Sequence, residues 1–478
     1  MVFSSLVFTF FFLPAVLVLY YLARGPLSRA RNYILLFASL VFYGYGEPYF
    51  VFVMIGSILI NYLLALGIDG SANARSGKNA LLVLAVICNI GLLFVFKYLS
   101  FVSVNLNRLT GTTKIIRISL PIGISFFTFQ AMSYVIDVWR RDTPVQKNPL
   151  YLALYISFFP QLIAGPIVRY KTVEEQIANR RVTPELFAEG ARRFFLGFSK
   201  KIILANHLAI LSEKIFGLTD VYGIANFAEL WLGAICYSLQ IYYDFSGYSD
   251  MAIGLGKLFG FRFEENFRYP YISASATEFW RRWHISLGSW FRDYVYIPLG
   301  GSRCGKGRQV FNLFAVWTLT GIWHGANWTF LVWGLWYFFL LLIERFFIRP
   351  EDRAKSFRIL WRCLTLFFVM CGWVMFNSAN VGAGLNYLRG LFGFYKATNA
   401  APEPFFLVFY LRQYGHFILA AILFATPVMS VLGESLDKNK ALAYVKAVLS
   451  PIAYGFLFIW AVSFLLEGMH NPFIYYNF

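Results

Sequence analysis

His324 lies near the middle of a 35-residue stretch, Gln309 to Ile343, that contains no Asp, Glu, Lys or Arg. An ionisable ring inside so long an apolar run is costly to keep and marks a candidate functional position. Around it, GIWHGANW (Gly321 to Trp328) supplies Gly321, Gly325 and Ala326, small residues that let a substrate come close to the ring. A neutral imidazole is the usual proton acceptor near pH 7, so general-base chemistry is the reading these residues suggest. The competing reading is a histidine that only hydrogen-bonds neighbouring helices together. Just upstream, FWRRWHISLGSWFRDYVYIPLGG (Phe279 to Gly301) interleaves Arg, Trp, His, Asp and Tyr, which places a polar, reactive surface beside a greasy channel.

His284 sits in that second stretch. Phe279, Trp283 and Leu287 recur at helical spacing while Arg281, Arg282, Ser289 and Arg292 supply polar faces, so Glu278 to Tyr296 reads as one interfacial helix. On that reading His284 is either an interface residue or a group that orients a substrate.

The elements that must position these residues are membrane helices. Hydrophobic residues make up 59% of the 478, aromatic residues 20% and charged residues 14%, against roughly 45–50% apolar and about 25% charged in soluble domains. The balance of 42 Lys+Arg against 24 Asp+Glu gives +18. In a soluble protein that excess would suggest nucleic acid; here the cations fall in short loops between apolar runs, the pattern of cytosolic loops, and nucleic acid is set aside. Spans of adequate length occur at 6–23, 49–67, 80–96, 118–136, 150–168, 223–243, 359–376, 417–432 and 447–466. Weaker ones are 33–46, 194–211 and the pair flanking His324, for a total of about 11–13 membrane segments. The expected class is an all-α polytopic membrane protein forming a single domain over 1–478. Its interfacial cytosolic segment is about 261–308 and its histidine segment about 309–343. The first positive side chain, Arg24, follows the first apolar run, so that run is expected to be retained with the N-terminus outside.

Two segments need irregular backbone. Simple alternation would put the basic loop 244–309 outside, so one upstream segment, 80–96, is expected to dip in and return. A straight helix over Gln309 to Ile343 would extend about 52 Å at 1.5 Å per residue, against a hydrocarbon core of about 30 Å. It must break, and Gly321, Gly325 and Asn327 are the natural place, which would put His324 in a cavity.

Other motifs carry less. GGSRCGKG (Gly300 to Gly307) has phosphate-loop spacing up to Lys306, but Gly307 stands where a Ser or Thr would hold Mg²⁺ and no obvious strand precedes it, so nucleotide hydrolysis is rejected. Asp137, Glu229 and Asp244 lie within or at the edge of apolar runs and are expected to pair with Arg or cap helices more than to relay protons. Cys88, Cys236, Cys304, Cys363 and Cys371 are odd in number, lack metal-ligand spacing and read as small core residues. No GxSxG elbow or HExxH is present.

Several long motifs together resemble the membrane-bound O-acyltransferases, in particular the alginate O-acetyltransferase branch of bacterial polysaccharide acetylation. They are the opening MVFSS, LPIGISFFTFQAMSYVIDVWR (Leu120 to Arg140), FFPQLIAGPIVRY (Phe158 to Tyr170), QIYYDFSGYSDMAIG (Gln240 to Gly254), the FWRRWHISLG and LTGIWHGANW regions and the final FIYYNF. The resemblance implies a membrane-bound O-acyltransferase fold, catalytic His324 with His284 as its second histidine, and transfer of an acetyl group from a cytosolic thioester, acetyl-CoA, toward an extracytoplasmic hydroxyl. Arg281, Arg282, Trp283, Arg292 and Lys306 are the candidates for holding the donor; no metal or bound cofactor is expected. A bacterial inner-membrane location and an extracytoplasmic acetyltransferase partner, docking near the aromatic tail Asn471 to Phe478, are further expectations. D-alanyl transfer to teichoic acid on the same scaffold, or a non-enzymatic transporter, are the alternatives.

The basic loops generate a topological prediction. Phe261 to Arg308 should face the cytosol and both termini the outside, so a cysteine introduced near Lys306 should resist a membrane-impermeant reagent on intact spheroplasts; rapid labelling there would refute this orientation.

Overall fold

The computed structural model describes residues 1–71, 75–111, 114–217, 227–350, 353–394 and 405–474. Among these the regular structure is helical throughout, as a chain of apolar runs in a membrane requires, because every backbone N–H and C=O must be satisfied within its own segment. Seven helices among the described residues are long and apolar enough to cross a membrane: Phe50–Gly70, Arg75–Thr110, Pro184–Gly217, Trp328–Ile348, Lys355–Asn377, Leu407–Phe424 and Lys440–Leu466. Phe8–Leu22 is a shorter apolar helix.

Several expected spans change. The one at 150–168 is instead two short helices, Pro149–Ser157 and Phe159–Leu162. Residues 75–110 form one continuous helical run instead of dipping in and returning at 80–96. Their turns remain helical from Arg75–Leu93 through the wider turn Phe94–Tyr98 to Leu99–Thr110, with no loop on which the chain could reverse. The span anticipated at 417–432 begins earlier, at Leu407, and ends at Phe424.

The chain divides into two compact units, residues 1–194 with 248–264, and residues 195–247 with 265–478. In the first, Asn61 and Asn89 on adjacent helices exchange amide hydrogen bonds (3.2 and 2.7 Å). That reciprocal pairing satisfies two buried polar groups that would otherwise be stranded. Arg180 is held by Asn32 Oδ1 (2.6 Å), the Tyr20 hydroxyl (3.0 Å) and the Phe259 carbonyl (2.9 Å).

In the second unit Asp244 pairs with a lysine, Lys201, at 2.6 Å, each side chain being 3% exposed. Both also hold the chain near its end: Lys201 Nζ donates to the Pro472 carbonyl and Asp244 Oδ2 accepts the Ile474 N–H (3.0 Å). Phe473 and Ile474 are buried, so the start of the aromatic tail packs inward and is not an exposed patch. The rest of it, residues 475–478, lies outside the described residues.

The charge-free stretch breaks at Gly325 to Asn327, as expected, while Gly321, the third residue expected at the break, stays helical. Helix Lys306–His324 ends on the histidine, Gly325 is extended, and Asn327 caps helix Trp328–Ile343 through its side chain, which accepts the Thr329 N–H (3.3 Å). The two arms pack as a hairpin and touch through bare backbone. A Cβ on Gly321 would lie 2.5 Å from the Phe330 carbonyl oxygen and 3.3 Å from Gly334 Cα; one on Gly334 would collide with the Trp317 carbonyl.

This crossing yields a prediction. Gly334→Ala should lower the melting temperature, by an amount corresponding to about 1–3 kcal/mol of overpacking. Gly307→Ala, at a helical position with open space around it, should leave the melting temperature unchanged or raise it.

Candidate active site

The ascending arm of the hairpin ends at His324, and the extended Gly325 that follows lies where a Cβ would strike the Phe330 ring. The imidazole is buried among aromatic rings, with centroids 5.0 Å from Trp323, 4.9 Å from Trp333 on the returning arm and 5.3 Å from Phe376 on helix Lys355–Asn377.

The His284 segment is not the single interfacial helix its periodicity suggests. It comprises helix Ala276–Arg282, a break, helix Ile285–Phe291 and the wider turn Arg292–Tyr296. The break is at His284 itself, whose φ of 44° lies in the left-handed region that side chains rarely adopt. Asn266 holds the turn in that shape. Its Oδ1 accepts from Ser286 N (3.1 Å), Ser286 Oγ (2.9 Å) and His284 Nδ1 (3.2 Å), and its backbone carbonyl accepts from Ile285 N (3.0 Å). The Ser286 backbone N–H can only donate, so the Asn266 atom it meets is the oxygen, and His284 Nδ1 must carry the proton. The neutral ring then has its lone pair on Nε2. His284 lies outside the candidate spans, is 2% exposed, and has its pKa pushed down to about 3 by burial. A ring that protonates only at such low pH is a weak base at pH 7, better suited to orienting a substrate than to removing its proton.

Next to His284 opens a cavity of about 490 Å³, within the range of small-molecule sites. Its walls bring together Trp280, Arg281, Trp283, His284 and Arg292 from the broken segment with Val316, Trp317 and Thr320 from the ascending arm. Arg281 and Arg292 are exposed, and Arg292 Nε also pairs with Asp293 (2.6 Å). Arg282 is not in the lining; it bridges to Glu278 (2.7 Å) and donates to the Arg268 carbonyl (3.1 Å). Lys306 is exposed at the start of the ascending arm and is not in the lining either.

His324 itself is not in the lining of this cavity, contrary to the expectation that the break would put it in one; it follows Thr320 by one helical turn. Trp280 lines the cavity and meets Trp333 edge-on at 5.6 Å, and Trp333 meets His324. Trp323 lies between the histidines, 6.3 Å from the His284 ring and 5.0 Å from His324. The two histidines thus belong to one aromatic cluster. Sequence reasoning missed Asn266, whose only signal is an amide in a charged, aromatic loop, and the tryptophans Trp280, Trp317 and Trp333, which read as ordinary apolar residues.

A sequence model of the membrane-bound O-acyltransferase family matches residues 123–384, which contain both histidines and the whole cavity lining. The chain belongs to that family and is a membrane-bound O-acyltransferase. Among its relatives, a probable alginate O-acetylase of Pseudomonas aeruginosa is 43% identical over 400 residues, covering 82% of this chain and 75% of the relative. A peptidoglycan O-acetyltransferase of Helicobacter pylori is 31% identical over all of this chain and 98% of its own length. A teichoic acid D-alanyltransferase of Bacillus subtilis is 31% identical over 54% of this chain and 68% of its own.

The neutral burial of His284 has a pH signature. Its folded pKa of about 3 lies below the ordinary 6.5, so the unfolded chain binds a proton first, and stability present above pH 6.5 is lost as pH falls toward 3, at up to about 1.4 kcal/mol per pH unit. His284→Gln should flatten the fall of melting temperature between pH 6.5 and 4; an unaltered slope would show that the ring is not held neutral.

Proposed function

We propose that this protein moves an acetyl group from a cytosolic thioester, acetyl-CoA being the expected donor, to an extracytoplasmic hydroxyl for O-acetylation of an exopolysaccharide such as alginate. The observation that carries the reading is the cavity beside His284, with Arg281 and Arg292 along a mainly apolar and aromatic lining and Thr320 one turn before His324. A thioester with a phosphorylated carrier suits that lining: the guanidiniums attract phosphate, and the apolar part takes the arm and acetyl group. The names of the relatives support acetyl over D-alanyl transfer, since the alginate O-acetylases match 82% of the chain at 43% identity and the D-alanyltransferase 54% at 31%.

In the proposed reaction the acceptor hydroxyl attacks the thioester carbonyl carbon. His324 takes the hydroxyl proton as the C–O bond forms; the C–S bond then breaks, and the proton passes to the departing thiolate. His284, kept neutral with its proton on Nδ1, orients one of the substrates. The thioester is already activated, so holding the two reactants in register supplies most of the rate, and the chemistry calls for no metal or bound cofactor. An acetyl-His324 intermediate would satisfy the same balance. Arg282 and Lys306 contribute at most long-range attraction for an anionic donor. An inner-membrane location with the cavity segment on the cytosolic side, and an extracytoplasmic acetyltransferase that passes the group to polymer, complete the proposal.

The test is His324→Ala. Expression and folding should persist while acetyl incorporation into polymer falls by about 10²–10⁴-fold; His284→Ala should lower it and leave residual activity. Near-normal acetylation by the His324→Ala variant would remove that residue from the mechanism.

A further inference from the structure

The helices that carry the cavity, Ala276–Arg282 and Ile285–Phe291, have seven residues each. Helices that short are not stable alone, and a left-handed break separates them, so their position must be imposed from outside. Asn266 holds the middle. The two ends are held by consecutive residues, Glu344 and Arg345, at the base of the hairpin's returning arm.

Glu344 is 3% exposed. Its Oε1 accepts the Ala276 N–H (2.9 Å) and the Trp361 indole N–H (2.9 Å), and its Oε2 accepts the Thr277 N–H (2.7 Å) and the Thr277 hydroxyl. Ser275 Oγ takes the next backbone donor, Glu278 N (3.1 Å). The first three N–H groups of helix Ala276–Arg282 are therefore covered, two of them by one carboxylate at the positive end of the helix, where charge-assisted bonds are strongest. Arg345 reaches the other way, from Nη1 to the Tyr296 hydroxyl (3.1 Å) and from Nη2 to Gln309 Oε1 (2.7 Å). Tyr296 ends the cavity segment, and Gln309 lies in the first turns of the ascending arm.

We propose that Glu344 and Arg345 are positioning residues for acyl transfer: a two-pronged brace that fixes the cavity segment, and His284 with it, against the hairpin that carries His324. The proposal rests on the catalytic reading of those histidines. Neither residue touches the cavity; each acts through the backbone or side chain it holds.

The test compares Glu344→Gln with Trp361→Phe in the full-length chain. Both remove hydrogen bonding at the same buried carboxylate, but Trp361→Phe takes away one donor from helix Lys355–Asn377 and leaves the contacts of Glu344 to Ala276 and Thr277 in place. Glu344→Gln should speed amide hydrogen exchange in residues 276–282 and cut acetyl incorporation into polymer by about 10²-fold, the scale expected of a misplacement near 1 Å. Trp361→Phe should leave both near wild type at a comparable melting temperature. Equal losses in the two variants, or a Glu344→Gln protein with faster exchange and normal transfer, would overturn the brace. Should Glu344→Gln fail to reach the membrane, Arg345→Met at the half-exposed prong should slow transfer at an unchanged melting temperature, and normal transfer there would overturn it. If His324→Ala kept full transfer, the catalytic reading would fall, while the exchange data would still report whether Glu344 holds the segment.

Discussion

The bare-backbone contact between the two arms of the histidine hairpin sets the position of His324 and of the tryptophans beside it. Gly321 and Gly334 let the arms close until only carbonyl and Cα atoms separate them. At that distance Trp333 of one arm lies against His324 of the other, and Trp317 turns toward the cavity. In a bilayer there is little hydrophobic drive between helices, so close packing of small residues and buried polar bonds must hold such a pair.

The same scarcity of drive explains how the polar groups are arranged. Three groups of buried polar side chains in the second unit are committed to specific contacts. Lys201 and Asp244 neutralise each other and grip Pro472 and Ile474, Asn266 holds the His284 turn, and Glu344 covers a helix start. Built this way, the second unit holds the His284 turn while these charges stay buried. His284 and His324 share one aromatic cluster but differ in setting, one beside an open cavity with Arg281 and Arg292, the other enclosed by Trp323, Trp333 and Phe376.

Much was legible in the sequence: the helical membrane class from the apolar runs, the break at Gly325 to Asn327 from the mismatch between 35 residues and the bilayer, and His324 and His284 as candidates from their surroundings. These depend on composition, length and local geometry, which a linear sequence carries directly. The continuous helix 75–110 was misjudged because loop charge constrains only the sides on which loops lie and not the path between them.

What only the tertiary structure decided is who meets whom. Helical spacing made Glu278 to Tyr296 look continuous, yet an amide 18 residues before His284 bends the chain there. Arg281 and Arg292 reach the cavity while Arg282, one residue away, turns to Glu278, because a helix rotates successive side chains by about 100°. In the sequence Trp280 and Trp333 are anonymous apolar residues; their place between the cavity and His324 depends on a contact between two distant segments. Local pattern determines which segments fold and where they break, whereas the site is made of pairings between segments, and those exist only once the helices are packed.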